Sequence, residues 1–333
     1  MSEAHAVLIV GAGWIGRQVG LRMAVHGFRV YLVDRFPSAL ESARKWMQAN
    51  AQLYIESSQS EQGALAASAP RSPALSVAQP TAAKSAALAD QAWKTLVDFD
   101  RSIESLIESV QVVLECVSEQ ITLKRRILRE VSRQFPRTTI IASNSSYFTP
   151  STLAKFVESP ERFANWHFHV PLHRTSIADV CGCPATEPWV LERLNQWSRQ
   201  MGQSPLLLRH EQPGYVFNWL LQSLLKSALE LAARDVVDIA DIDRAWKAVS
   251  GMPIGPFAIM DNIGLDVIEQ ALSNARWDNT PATDIEQLLA VLRVPLQHGH
   301  LGLKSGQGFY QYTQAEVTDG EIFEQPGQGV QRP

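Results

Sequence analysis

The stretch AVLIVGAGWIG, residues 6–16, restricts the fold of this chain more than any other. A short, β-branched apolar run bounded by glycine has the length and composition of a strand buried on both faces. G-x-G-x-x-G follows at once, then a stretch of helical period up to Gly27, which sits where a helix C′ residue belongs. Gly11 permits a tight turn, Gly13 lets backbone approach a pyrophosphate, and Gly16 lets the helix press against the sheet. FRVYLVD (28–34) supplies a second strand ending in Asp34, 18 positions after Gly16. A carboxylate there can accept both ribose hydroxyls, while the helix N-terminus offers free N–H groups to a diphosphate. The combination reads as a dinucleotide site. Asp34 would repel a 2′-phosphate, which favours NAD over NADP, and Arg35 beside it is the one group suited to such a phosphate. FAD shares the motif, but nothing later in the chain supports it.

VQVVLECV (110–117) and TTIIASN (138–144) repeat the strand pattern around the helical ITLKRRILREVSRQF, and RFANWHFHVP (162–171) reads as a further strand entering a loop. From PGYVFNWLLQSLLKSALELAARDVV (213–237) onward only helical period remains, with Val216, Leu220, Leu224, Ala228 and Leu231 on one face. Asp238 is placed to cap the next helix and Gly251 to end it. The pattern predicts an α/β Rossmann-type N-terminal domain with a mostly parallel sheet over residues 1–208, plus an all-α C-terminal domain over 209–318. Between them in character lies the segment from Glu56 to Asp90, rich in Ala, Ser, Gln and Pro, which reads as a mobile surface insertion or partly disordered arm. Residues 319–333 read as a polar tail.

A net charge of −4 offers no basic field for nucleic acid or an anionic membrane. No apolar run approaches the roughly 20 residues of a membrane helix, and the N-terminus enters a strand without the pattern of a signal peptide. Cys116, Cys181 and Cys183 are too few for a disulfide framework, and the lone C-x-C lacks the second pair of a zinc site. The expectation is a cytoplasmic protein with free thiols and no metal.

Seven ordered stretches together resemble the 3-hydroxyacyl-CoA dehydrogenase family: LIVGAGWIG, VVLECVSEQITLK, ASNSS, HFHVP, PGYVFN, MPIGPFAIMDNIGLD and LGLKSGQGFY. The resemblance spans residues 6 to 310. It implies oxidation of a secondary alcohol to a ketone with hydride passing to NAD, or the reverse, which needs a base for the hydroxyl proton and donors for the oxyanion. The position matching the family's histidine is His167, before Pro171, and the matching carboxylate is Asp179. Ser146 and Asn218 match residues that bond the substrate oxygen. Asn144 matches an amide that fixes the loop near the nicotinamide, Glu115 ends a strand on the cofactor side, and Lys124 matches a lysine near the nicotinamide ribose. For Lys124, an ordinary surface helix charge is an equal reading. The resemblance also implies a homodimer paired through helices of the second domain.

The catalytic loop departs from the family pattern. Aspartate replaces the usual glutamate at Asp179, so the loop must approach closer or a water must bridge. His169 and Val170 replace phenylalanine and asparagine, and Trp219 stands in place of arginine. His169 and His173 read as structural histidines. A Ser-His-Asp hydrolase built on Ser146, His167 and Asp179 would need a sharp nucleophile elbow, which SNSSY lacks, and would leave the glycine motif idle. Between Glu56 and Asp90 the only cations are Arg71 and Lys84, a weak clamp for the phosphates of free CoA. The resemblance implies a 3-hydroxyacyl thioester on CoA, and the weak clamp turns attention to one on a carrier protein. Alternatives are a small hydroxy acid, or a protein that binds NAD with its catalysis lost.

Overall fold

The computed structural model describes residues 5–68, 93–100, 102–273 and 282–313. The chain packs as two units, Met1–Tyr215 and Val216–Pro333.

The first unit is built on a sheet in the order β3-β2-β1-β4-β5-β6-β7-β8. Its strands are β1 (Ala6–Val10), β2 (Arg29–Val33), β3 (Val97–Asp98), β4 (Val112–Glu115), β5 (Ile140–Ser143), β6 (Phe163–Phe168), β7 (Ile177–Gly182) and β8 (Ser204–Leu207). Every neighbouring pair is parallel except β6 with β7. The expected mostly parallel α/β unit is therefore present. Strands such as β1 are apolar at every position because both faces are covered. Val7 and Ile9 join one core with α1 (Trp14–Val25), α2 (Pro37–Ser68) and α5 (Pro188–Gln200). Ala6, Leu8 and Val10 join the other with Leu128 and Val131 of α3 (Ile121–Gln134). A short α4 (Pro150–Ala154) follows β5.

The region read as a mobile insertion from Glu56 is corrected in its first part. Helix α2 continues through Ser68. Ala43, Met47, Ala51, Tyr54, Ile55 and Ser58 form one buried stripe that carries the helix past the apparent break. Ala and Ser make such a stripe hard to see, because one adds little hydrophobic contrast and the other conceals it. The remainder of that segment, and the tail from residue 319, lie outside the described residues.

Two buried arginines tie helices down by their ends. Arg162 donates to the carbonyls of Ser132, Phe135, Pro136 and Thr139, satisfying the open C-terminus of α3 with a cation at its negative pole. Arg22 of α1 donates to the Met201 and Gly202 carbonyls beyond α5.

The second unit is helical, as expected: α6 (Phe217–Ala233), α7 (Ile239–Ser250), α8 (Pro256–Ile263), α9 (Leu265–Ser273) and α10 (Ala282–Leu296). Asp243 of α7 accepts the Phe257 and Ala258 N–H groups, so a side chain from another helix caps α8. Asp261 accepts from the Phe309 and Tyr310 N–H groups and the Tyr312 hydroxyl, fixing the GFYQY segment. Gly251 ends α7 in the left-handed region at φ +74°, but Asp238 makes no side-chain cap bond. Of the apolar face read on α6, only Ala228 is buried. The buried stripe of the helix is Leu225, Ala228, Leu229 and Ala232, while Val216, Leu220 and Leu231 are exposed, Leu220 at 62%.

Candidate active site

The sheet order turns between β1 and β4, and the loops at their carboxyl ends diverge there to leave a crevice, the place where open α/β sheets bind ligands. A cavity of about 830 Å³ lies at this point. Gly11, Gly13 and Trp14 line it from the first turn, Asp34 and Arg35 from the end of β2, Glu119 and Lys124 after β4, and Asn144 and Ser146 after β5.

The three glycines serve different ends. Gly11 has φ +113°, and a Cβ on it would lie 2.8 Å from the Cys116 carbonyl. A Cβ on Gly16 would fall 1.9 Å from the Gly11 oxygen, so only hydrogen lets α1 start this close to the turn. At Gly13 a Cβ would meet nothing within 4 Å. Packing among the described residues does not require that bareness, and Gly13 lines the cavity. Gly13 is also the N-cap of α1 and carries no side chain that could accept from the first N–H groups of the helix. Asp34 accepts from the N–H groups of Ala12 and Phe36, bracing the turn from the next strand. Arg35 lies over the Phe36 ring at 4.2 Å.

Glu115 does not line the cavity. It is fully buried and accepts from the Lys124 ammonium at 2.8 and 3.0 Å, from Ser143 Oγ and from the Val117 N–H. Lys124, 1% exposed, also pairs with Glu119 at 3.2 Å, which rules out a surface helix charge. Burial disfavours the ammonium, but the two carboxylates outweigh it and raise its pKa. Glu119 escaped sequence reading. Burial opposes its charge, yet Lys124 and the donors Ser145 and Tyr147 N–H hold its carboxyl below the ordinary value. Its position at the carboxyl end of β4 was the available signal. Asn144 accepts the Phe168 N–H, pinning the β5 loop to β6.

Ser146, on the cavity wall, connects it to the histidine cluster. Ser146 Oγ is 3.1 Å from His167 Nε2, and His167 Nδ1 is 3.0 Å from Asp179 Oδ2. His167 and Asp179 are directly opposed residues in the antiparallel β6–β7 pairing, so their side chains share a face. The shorter aspartate thus reaches the imidazole without a bridging water. With Nδ1–H donated to the carboxylate, Nε2 is left as the basic nitrogen, directed to Ser146. Burial lowers the His167 pKa below its ordinary value despite the bond to Asp179. For Asp179 burial works against the anion, but the bonds from His167 and His169 outweigh it and hold its pKa down. The Tyr215 ring stacks on His167 at 4.7 Å, and its hydroxyl donates to the Ser145 carbonyl and accepts from Asn165. His173, read as structural, packs against Tyr54 at 5.6 Å. Asn218 lies half-buried on the first turn of α6 in the helical unit. The three cysteines are free, Cys181 and Cys183 being buried.

The profile of the 3-hydroxyacyl-CoA dehydrogenase NAD binding domain matches residues 6–211, and that of the 3-hydroxyacyl-CoA dehydrogenase C-terminal domain matches residues 214–312. The chain belongs to the 3-hydroxyacyl-CoA dehydrogenase family. It is accordingly an NAD-dependent oxidoreductase acting on CH–OH groups. Among relatives of this dehydrogenase, the mitochondrial hydroxyacyl-coenzyme A dehydrogenase of Rattus norvegicus is 26% identical over 92% of this chain and 90% of its own length. The 5-formyl-3-hydroxy-2-methylpyridine 4-carboxylate 5-dehydrogenase of Mesorhizobium japonicum is also 26% identical, with the same coverage of both chains. A solved diketoreductase acting on dicarbonyl compounds is 28% identical, covers 94% of this chain and all of its own, and superposes with a TM-score of 0.75. The open face at Gly13, the positive φ of Gly11 and the carboxylate of Asp34 suit the diphosphate and ribose of NAD.

Proposed function

We propose that this dehydrogenase interconverts a 3-hydroxyacyl thioester, linked to CoA or a carrier protein, with its 3-ketoacyl form, using His167 as general base and Asp179 as its orienting carboxylate. One observation carries the reading: an uninterrupted line from Ser146 at the cavity wall through His167 to Asp179. Gly11, Gly13 and the start of α1 would hold the diphosphate, and Asp34 the adenosine ribose. When bound, NAD supplies the hydride acceptor. His167 Nε2 takes the hydroxyl proton, and Asp179 offsets the charge that the imidazole then carries. Ser146 Oγ bonds the substrate oxygen, and Asn218, by its match to the family, contributes a second polar contact. The buried Glu115–Lys124 pair, Glu119 and Asn144 hold the loops that bear these groups.

Asp179→Asn is expected to lower turnover about 10²–10⁴-fold while leaving NADH binding intact, read by steady-state kinetics with 3-hydroxyacyl thioesters beside fluorescence titration. Loss of both in equal measure would make Asp179 a structural residue and overturn the dyad.

A second reading has its own support. Two relatives carry names with small carbonyl substrates and no thioester, and the segment from Glu56 to Asp90 has only Arg71 and Lys84 as cations. A small hydroxy acid fits those facts, and a substrate panel separates it from a thioester. The exposed Leu220 and Leu231 of α6, with Val216 just before it, fit pairing of two copies through this face. The free thiols fit a reducing compartment such as the cytoplasm.

A further inference from the structure

We propose that His169 is a positioning residue that clamps the same oxygen of Asp179 as His167 and ties the proton affinity of His167 to its own protonation. This rests on the assignment of His167 and Asp179 as the base and its partner. Asp179 Oδ2 is 3.0 Å from His167 Nδ1 and 2.8 Å from His169 Nε2, so one oxygen takes both imidazole donors. The other oxygen, Oδ1, is buried with no hydrogen-bond partner among the described residues. With all the donors on one oxygen, the carboxylate is oriented by the two rings alone. Aspartate, one methylene shorter than glutamate, has one fewer torsion with which to find His167. A second donor holding the same oxygen fixes the torsion that remains.

The two rings also meet each other, edge to face, with centroids 4.7 Å apart. His167 is 4% exposed at its side chain, Asp179 is fully buried and His169 is 13% exposed. The cluster therefore opens outward through His169. A proton on His169 opposes one on His167, since two imidazolium ions would share one carboxylate in a site almost without water. The other titratable groups here are Cys181 on β7, Glu119 after β4, and Tyr215 and Glu211 ahead of residue 216. Burial pushes the Cys181 thiol up to about 12 and the Tyr215 hydroxyl well above its ordinary value, so both are neutral near pH 7. Glu119 is anionic and favours a proton on His167, whereas a proton placed on His169 would oppose it.

Two replacements separate the clamp from the charge. His169→Phe keeps a ring against His167 and removes both donor and charge. His169→Gln keeps an amide donor and removes the ring together with any charge. Each is measured by the pH profile of kcat and by ¹⁵N NMR titration of the His167 ring, the latter needing no substrate. Without an opposing charge His167 binds its proton more tightly, and a protonated base is inactive. In both variants the acidic limb of the profile and the His167 titration should therefore move to higher pH, by on the order of one unit. At the alkaline plateau, His169→Phe should turn over roughly 10-fold more slowly and His169→Gln near the wild-type rate. An unmoved His167 titration in both variants would overturn the coupling, and equal plateau loss in Phe and Gln would overturn the clamp. Failure of the dyad itself would show instead in Asp179→Asn, through turnover that does not fall.

Discussion

At the scale of single residues, the first turn separates what holds the fold from what serves the ligand. A methyl group at position 16 would lie 1.9 Å from the Gly11 oxygen, whereas one at position 13 would point into open space. Gly16→Ala is therefore expected to destabilise the first unit, by roughly 1–3 kcal/mol in urea denaturation, because α1 must move off the turn. Gly13→Ala should unfold at the wild-type urea concentration yet lose most of its NADH affinity by fluorescence titration. Normal NADH binding by Gly13→Ala would remove the diphosphate from this turn. The tight turn at Gly11 and the close packing at Gly16 were legible in the sequence, since the spacing alone places them. The bond from His169 to Asp179 was not. Residues 167 and 169 lie two apart on one strand and its exit, and nothing in that spacing tells which carboxylate both will meet.

Among the elements, α3 shows how the candidate site is supported from beneath. It begins after the loop bearing Glu119, buries Lys124 against Glu115 of β4, and ends on the guanidinium of Arg162. Removing the ammonium leaves a carboxylate fully buried without its cation. Lys124→Met is expected to cost about 3–5 kcal/mol in chemical denaturation, and Lys124→Met with Glu115→Gln to recover a good part of it. An additive double variant would mean the two groups do not act as a pair. The existence of α3 could be read from its period, but its burial of a lysine could not, because charge in a helical pattern ordinarily marks the solvated face. Strands β7 and β8 and helix α5 were not anticipated for a related reason. IADVCG and SPLL are short and mixed in polarity, and they become strands through pairing with β6 and with each other.

For the molecule as a whole, an alternating strand–helix pattern giving way to helix alone was enough to foresee two kinds of unit. It did not reveal which helix faces would be covered. On α6 the inward stripe is Leu225, Ala228, Leu229 and Ala232, whereas Leu220, Phe217 and Trp219 face outward at 62%, 56% and 38% exposure. Apolar residues on both sides of one helix make its period readable and its orientation ambiguous. If that outer face pairs two copies, sedimentation equilibrium should give twice the 37.0 kDa chain mass, and Leu220→Glu should shift it toward one. A wild-type monomer would remove the proposal. The direct pairing of His167 with Asp179 across β6 and β7 has a consequence for how such a protein can change. Losing one residue within β7 would turn the acid to the far side of the sheet, and losing two would bring another β7 side chain opposite the imidazole. A single indel in this strand can thus abolish the chemistry and would also turn Ala178 and Val180 out of the core, which makes parity along β7 a constraint on both.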